Sequence, residues 1–127
     1  MKARLKYTGI RVKNLHDSIQ FYTKVLGLTA RPPDPLDQTK GISVDLVGEG
    51  SGPYIELNFY EKGSPFDTGY AAGEELDHLG FVVPDLEKAI AEATQAGYPV
   101  IQEIKVATGR WVYIRDPNGI WIELSTG

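Results

Sequence analysis

Asp77-His78-Leu79-Gly80-Phe81-Val82-Val83-Pro84-Asp85-Leu86-Glu87-Lys88-Ala89-Ile90 is the stretch that decides the fold. Asp77 to Val83 reads as a strand, Pro84 interrupts it, and Asp85 is a suitable cap for the helix that follows. Leu86, Ile90, Ala93 and Gly97 recur at helical spacing and form the expected inner face. Moving 71 residues towards the N-terminus finds the same plan. Leu5 to Val12 reads as a strand ending at Lys13-Asn14, and Asn14 is the matching cap. Leu15, Ile19, Tyr22 and Leu26 each stand 71 residues before a member of the later set, and Gly27 supplies a stop.

Both halves continue alike. After the first helix come Leu28 to Arg31, a Pro-rich loop over 31–41, and strands near Ile42–Val47 and Tyr54–Tyr60. After the second come strands near Arg110–Arg115 and Ile120–Leu124, joined by the turn formers Asp116-Pro117-Asn118-Gly119. Ile122-Glu123-Leu124 repeats Ile55-Glu56-Leu57 at a spacing of 67. This predicts an α+β chain of two tandem βαβββ modules on a curved mixed sheet, with module 1 at 1–60, a linker at 61–75 and module 2 at 76–127. On spacing alone, an α+β domain without duplication fits too.

At 127 residues the chain can bury a core without a disulfide or structural metal. It has no cysteine, which excludes thiol nucleophiles, thiolate metal sites and disulfides. No apolar run reaches membrane-spanning length and the start lacks an apolar leader, so the expectation is a cytoplasmic protein without a membrane partner. The net charge is −4 and basic residues are scattered, so no nucleic-acid partner is expected.

Strand alternation assigns faces. Ile55, Leu57 and Phe59 go under the helix, sending Tyr54, Glu56, Asn58 and Tyr60 to the concave side. In the same way Ile10 and Val12 go under, with Leu5, Tyr7, Gly9 and Arg11 opposite. Leu79, Phe81 and Val83 oppose His78, Gly80 and Val82, and Ile120, Ile122 and Leu124 oppose Trp121 and Glu123. Tyr7 with His78, and Glu56 with Glu123, are therefore repeat-equivalent pairs on one concave face. Singly, a half-exposed Glu is usually solvated and a lone His usually structural. Together, carboxylates and an imidazole suit a hard or borderline divalent ion, and two buried carboxylates without one carry a heavy desolvation cost.

At these residues the chain resembles the vicinal-oxygen-chelate superfamily (glyoxalase, bleomycin resistance, extradiol dioxygenase) over nearly its whole length. The motifs are Tyr7-Thr8-Gly9-Ile10-Arg11-Val12, Ser18 to Tyr22, Val25 to Leu28, Asp77 to Val83, Asp116 to Gly119 and Ile122 to Leu124. The nearest activity by resemblance is glyoxalase I (lactoylglutathione lyase). Its pattern of four metal ligands, carried over, implies Glu56, His78 and Glu123, with the first His falling on Tyr7. The implied cofactor is a divalent ion among Zn²⁺, Ni²⁺, Mn²⁺, Co²⁺ and Fe²⁺. An ordinary phenol, with a pKa near 10, is a poor anionic ligand, so Tyr7 serves instead as a hydrogen-bond donor to substrate on this reading.

Arg11 matches the arginine that family members turn towards glutathione, whereas the asparagine expected beyond the glutamate is Tyr60 here, with Asn58 on the same face. The resemblance implies a metal-dependent lyase or isomerase moving a proton beside a chelated carbonyl or hydroxyl of a small molecule, with Glu56 and Glu123 as catalytic bases. Arg11, Asn58, Tyr60 and Trp121 are its expected substrate contacts, and Tyr54, Trp111 and Tyr113 further walls. The alternatives are a metal-free binding protein of the bleomycin-resistance type and, ranked last, an extradiol-type dioxygenase. His16 is read as solvated surface. The resemblance also implies a homodimer, in which Tyr7 and Glu56 face His78 and Glu123 of the other copy; pairing within one chain is the other option.

Overall fold

A computed structural model describes residues 1–115, 117 and 119–127. The chain is α+β, and among the described residues its elements run β1 (Arg4–Arg11), α1 (Leu15–Gln20), a π-helical turn (Phe21–Val25), β2 (Thr29–Ala30), β3 (Asp34–Leu36), a 3-10 turn (Asp37–Thr39), β4 (Gly41–Val47), β5 (Tyr54–Tyr60), β6 (Leu76–Val82), α2 (Leu86–Gln95), β7 (Gln102–Val106), β8 (Gly109–Arg115) and β9 (Trp121–Ser125). It forms two compact units, Thr8–Asp77 and Met1–Tyr7 with His78–Gly127, and β1 passes from one to the other. The expected turn at 116–119 includes Asp116 and Asn118, which lie outside the described residues.

In the unit Thr8–Asp77, β4 is central: β2, β3 and β5 all pair with it antiparallel. Val44, Leu46 and Leu57 are buried at the heart of its core, and Ile10, Val12, Leu15, Ile19, Tyr22, Leu28 and Ile55 pack on them. Helix α1 starts where expected, because the Asn14 side chain accepts from the Asp17 N–H at 3.0 Å and satisfies one of the orphan donors of the first turn. Its end is different. After Gln20 the helix widens into a π turn, which carries the later side chains round the axis. Leu26, expected on the inner face, is 55% exposed, and Leu28 packs on the core in its place. Gly27 takes φ +73 and the Leu28 N–H closes back onto the Tyr22 carbonyl at 3.0 Å, one residue further than an ordinary α-helix stop. The Pro-rich loop holds β3 as a further departure: three residues on the edge of β4, where Pro35 stands in the strand.

The other unit has strand order β6-β9-β8-β7, with β6 and β9 parallel and the rest antiparallel. Strand β7 was not expected from the sequence. Asp85 caps α2 by accepting from the Lys88 N–H at 3.0 Å. Leu86, Ala89 and Ala93 are buried, and the core around them includes Val83, Val112 and Leu124 with Phe81, Ile90 and Ile122 packed on it. Gly97 is not on the inner face. It lies beyond the helix at φ +96, where its N–H bonds to Thr94 O and the Tyr98 N–H to Ala93 O, the paired closure that favours glycine.

Candidate functional site

Three of the expected residues meet within one unit. Tyr7 enters on β1, His78 on β6 and Glu123 on β9, where the parallel pairing sets His78 beside Trp121 and Gly80 beside Glu123. The Tyr7 hydroxyl lies 2.5 Å from His78 Nε2 and donates to Glu123 Oε2 at 2.7 Å. His78 Nε2 and Glu123 Oε2 are 3.6 Å apart. Tyr113, in register with Glu123 across β8 and β9, donates its hydroxyl to the same Oε2 at 3.0 Å. Tyr7, His78, Tyr113 and Glu123 are all buried. Tyr7 and Tyr113 also stand edge-on to the His78 ring, at centroid distances of 5.2 and 5.6 Å. Trp121 lies beside Tyr113, at 5.4 Å between ring centres.

The proton count orders this cluster. Tyr7 has one hydroxyl proton, and it goes to Glu123, so the contact with His78 requires the proton on Nε2 with the Tyr7 oxygen accepting. The chain of donors then runs His78 to Tyr7 to Glu123, with Tyr113 donating to the carboxylate as well. Two phenolic donors on one oxygen offset much of what burying a carboxylate costs. Tyr113, which the sequence marked only as a wall, is thus part of the cluster. It is placed there by its register opposite Glu123, which the sequence does not state.

For the divalent ion implied by the family pattern, the donor set is the test. A cation needs free lone pairs converging on it. Here the Tyr7 hydroxyl engages both His78 Nε2 and Glu123 Oε2, and a neutral phenol is a weak ligand. Among the described residues no group of three His, Cys, Asp or Glu side chains is placed to hold a metal ion. As arranged, Tyr7, His78 and Glu123 form a hydrogen-bonded chain, and His78 Nε2 and Glu123 Oε2 are the two atoms of the family pattern that would hold a divalent ion there. Tyr7 meets His78 and Glu123 within a single chain.

The remaining expected residues belong to the other unit. Glu56 is half-buried on β5, opposite Asp45 of β4. Arg11, Asn58 and Tyr60 line a pocket of about 360 Å³, together with Lys13, Asp67, Thr68 and Tyr70. Asn58 is buried, and its amide donates to the Glu56 carbonyl at 3.3 Å. Tyr60 is held on three sides. Its ring stacks on Phe66 at 5.5 Å, its hydroxyl donates to Asp77 Oδ2 at 2.5 Å, and Gly41 leaves the space that a Cβ at that position would take from the ring. Arg11 is engaged by segment 68–76, through Thr68 Oγ1 and the carbonyls of Glu74 and Leu76.

Among the described residues, no helix is long and apolar enough to cross a membrane. The chain is 32% identical to lactoylglutathione lyase of Escherichia coli O157:H7, over 95% of its own length and 90% of the relative's. It is 28% identical to the YwbC protein of Bacillus subtilis, over 97% of both chains. Its fold matches that of methylmalonyl-CoA epimerase from Mycobacterium tuberculosis with a TM-score of 0.80, at 23% identity over 95% of this chain and 85% of that one. The model of the Glyoxalase/Bleomycin resistance protein/Dioxygenase superfamily matches residues 4–124, and the chain belongs to that superfamily.

Proposed function

We propose that the chain is a lyase or isomerase of the glyoxalase I-like kind, moving a proton on the carbon beside a carbonyl of a small substrate, with Tyr7 as the group that carries the proton. The observation behind this reading is the Tyr7 hydroxyl set between His78 Nε2 and Glu123 Oε2. Such a chain lets one oxygen give a proton on one side and receive one on the other, so charge need not build up on the phenol. In this reading the proton leaving the substrate carbon goes to the Tyr7 oxygen as the Tyr7 hydroxyl proton passes to Glu123, and it returns by the same path to the substrate; His78 Nε2–H holds the Tyr7 oxygen in place and Tyr113 holds the carboxylate. Trp121 is the proposed substrate contact in the unit that holds this cluster; in the other unit Arg11, Asn58 and Tyr60 are the proposed substrate contacts and Glu56 a second candidate base.

Two further readings have specific support. The metal-dependent lyase rests on His78 Nε2 and Glu123 Oε2 being 3.6 Å apart, with the Tyr7 oxygen at both, and on the relatives named lactoylglutathione lyase. A binding protein without chemistry rests on the burial of the cluster and the formed pocket in the other unit. One experiment separates the three. The protein is incubated in D₂O with hemithioacetals of small 2-oxoaldehydes and with 2-methyl-branched acyl-CoA thioesters, and deuterium wash-in is followed by NMR. Wash-in that survives chelator and is lost in Tyr7→Phe supports the proposal. Wash-in that chelator abolishes and a divalent ion restores favours the metal reading. No wash-in, with thermal stabilisation by the same compounds, favours the binder. The Tyr7→His variant, which completes the family's ligand pattern, should hold a divalent ion more tightly than the parent.

A further inference from the structure

Arg11 has a second role written into its surroundings, independent of the chemistry at Tyr7. Its backbone N–H bonds to Glu75 O at 2.7 Å. Its guanidinium reaches Thr68 Oγ1, and Nη2 donates to the carbonyls of Glu74 and Leu76, each at 3.2 Å. The guanidinium carbon also lies 4.5 Å from the centre of the Tyr70 ring. One side chain therefore touches both ends and the middle of segment 67–76. That segment is anchored before and after. Phe66 and Ser64 are buried, with the Ser64 hydroxyl on Thr39 O at 2.5 Å, and Leu76 opens β6. Between the anchors, residues 67–69 and 71–74 are exposed, and internal turns rather than strand pairing hold their backbone. Such a segment opens at low cost compared with the sheet.

The same segment forms a wall of the pocket, through Asp67, Thr68, Gly69 and Tyr70, opposite Val12 of the strand side and Asn58, Phe59 and Tyr60 of β5. We propose that residues 67–76 are a strap that opens and closes over this pocket, and that Arg11 is the positioning residue that latches it shut. Its Nε is buried without a hydrogen-bond partner, 4.0 Å from Asp77 Oδ1, so the latch is not fully satisfied in the closed form. A guanidinium suits this role because its planar fork serves several carbonyls at once while its face stacks on Tyr70.

The absence of native cysteine makes the test clean. Asn58→Cys puts a single thiol in the pocket wall, and its reaction with 5,5′-dithiobis(2-nitrobenzoate) reports access. Adding Arg11→Gln should speed that reaction by roughly tenfold to a hundredfold, the change expected when several hydrogen bonds across an opening equilibrium are lost. A thiol at the exposed Lys24→Cys position should react at one rate in both backgrounds. Hydrogen exchange should rise in 67–76 and stay unchanged in β4. An unchanged Asn58→Cys rate overturns the latch, as does a rise that only follows exchange of β4. Should Arg11→Gln fail to fold, Thr68→Val removes one arm from the strap side. It should accelerate the Asn58→Cys thiol to a smaller degree, and no acceleration overturns the proposal equally.

Discussion

The ring of Tyr7 lies directly on Gly80. A Cβ built at residue 80 would stand 2.7 Å from Tyr7 Cδ1 and 2.8 Å from Cζ, well inside van der Waals contact. Glycine here is required by its neighbour across the strands rather than by its own dihedral angles. Alanine on a strand is ordinarily the more favourable residue. Gly80→Ala should therefore lose stability, by about 1–3 kcal/mol, only because the ring is there. Urea denaturation of a double-mutant cycle with Tyr7→Ala checks this: most of the cost should vanish when the ring is removed.

Glu123 gives a second prediction. Its Oε2 accepts from both Tyr7 and Tyr113 in a buried setting. Tyr7→Phe or Tyr113→Phe should each cost about 1–3 kcal/mol, because a donor to a buried acceptor is lost. The double Phe variant should cost more than the sum, since the carboxylate then has neither phenol. Adding Glu123→Leu to that double variant should recover stability, because removing the charge is better than leaving it unpaired. Chemical denaturation of the four variants beside the parent reads the order directly.

The repeat made much of this legible. The 71-residue offset pairs Tyr7 with His78, and the structure puts these two side chains in contact. Both caps, Asn14 and Asp85, act as the sequence indicated, because a cap is a local hydrogen bond that needs only its own turn. What escaped depends on partners far along the chain. Strand β7 is polar along most of its length, with only Ile104 buried, so it shows little periodicity without β8 beside it. The bond from Tyr113 to Glu123 depends on the register of β8 and β9. No local pattern states that register.

The π turn is the clearest departure, and it too is testable. Helical spacing puts Leu26 inside, but the widened turn leaves it exposed and brings Leu28 to the core. Leu28→Ala should cost about 1–3 kcal/mol for lost packing. Leu26→Ala should change stability by no more than about 0.5 kcal/mol, as for an exposed site. Leu57→Ala, at a fully buried position of the same core, sets the upper reference at about 2–5 kcal/mol. Equal losses at 26 and 28 would mean that the helix keeps its α register.

Tyr70 reports on the strap through its ionisation. Burial pushes its phenol above the ordinary value of 10.0; Arg11 pulls it down, and Glu75, Asp67 and Asp77 push it up. Lys13, 5.4 Å from the ring centre, is a second cation facing it. A raised pKa means that the folded chain holds the phenolic proton more tightly than the unfolded chain does. The stability linked to neutral Tyr70 is then intact below pH 10 and lost as pH climbs through the folded value. The phenolate absorbance at 295 nm, taken as the difference between parent and Tyr70→Phe, should show a midpoint above that of free tyrosine. Arg11→Gln gives the deciding sign. If Arg11 acted on Tyr70 by charge alone, removing it would raise the midpoint further. If it holds the strap, the ring is released to water, burial no longer opposes ionisation, and the midpoint should fall towards the ordinary value.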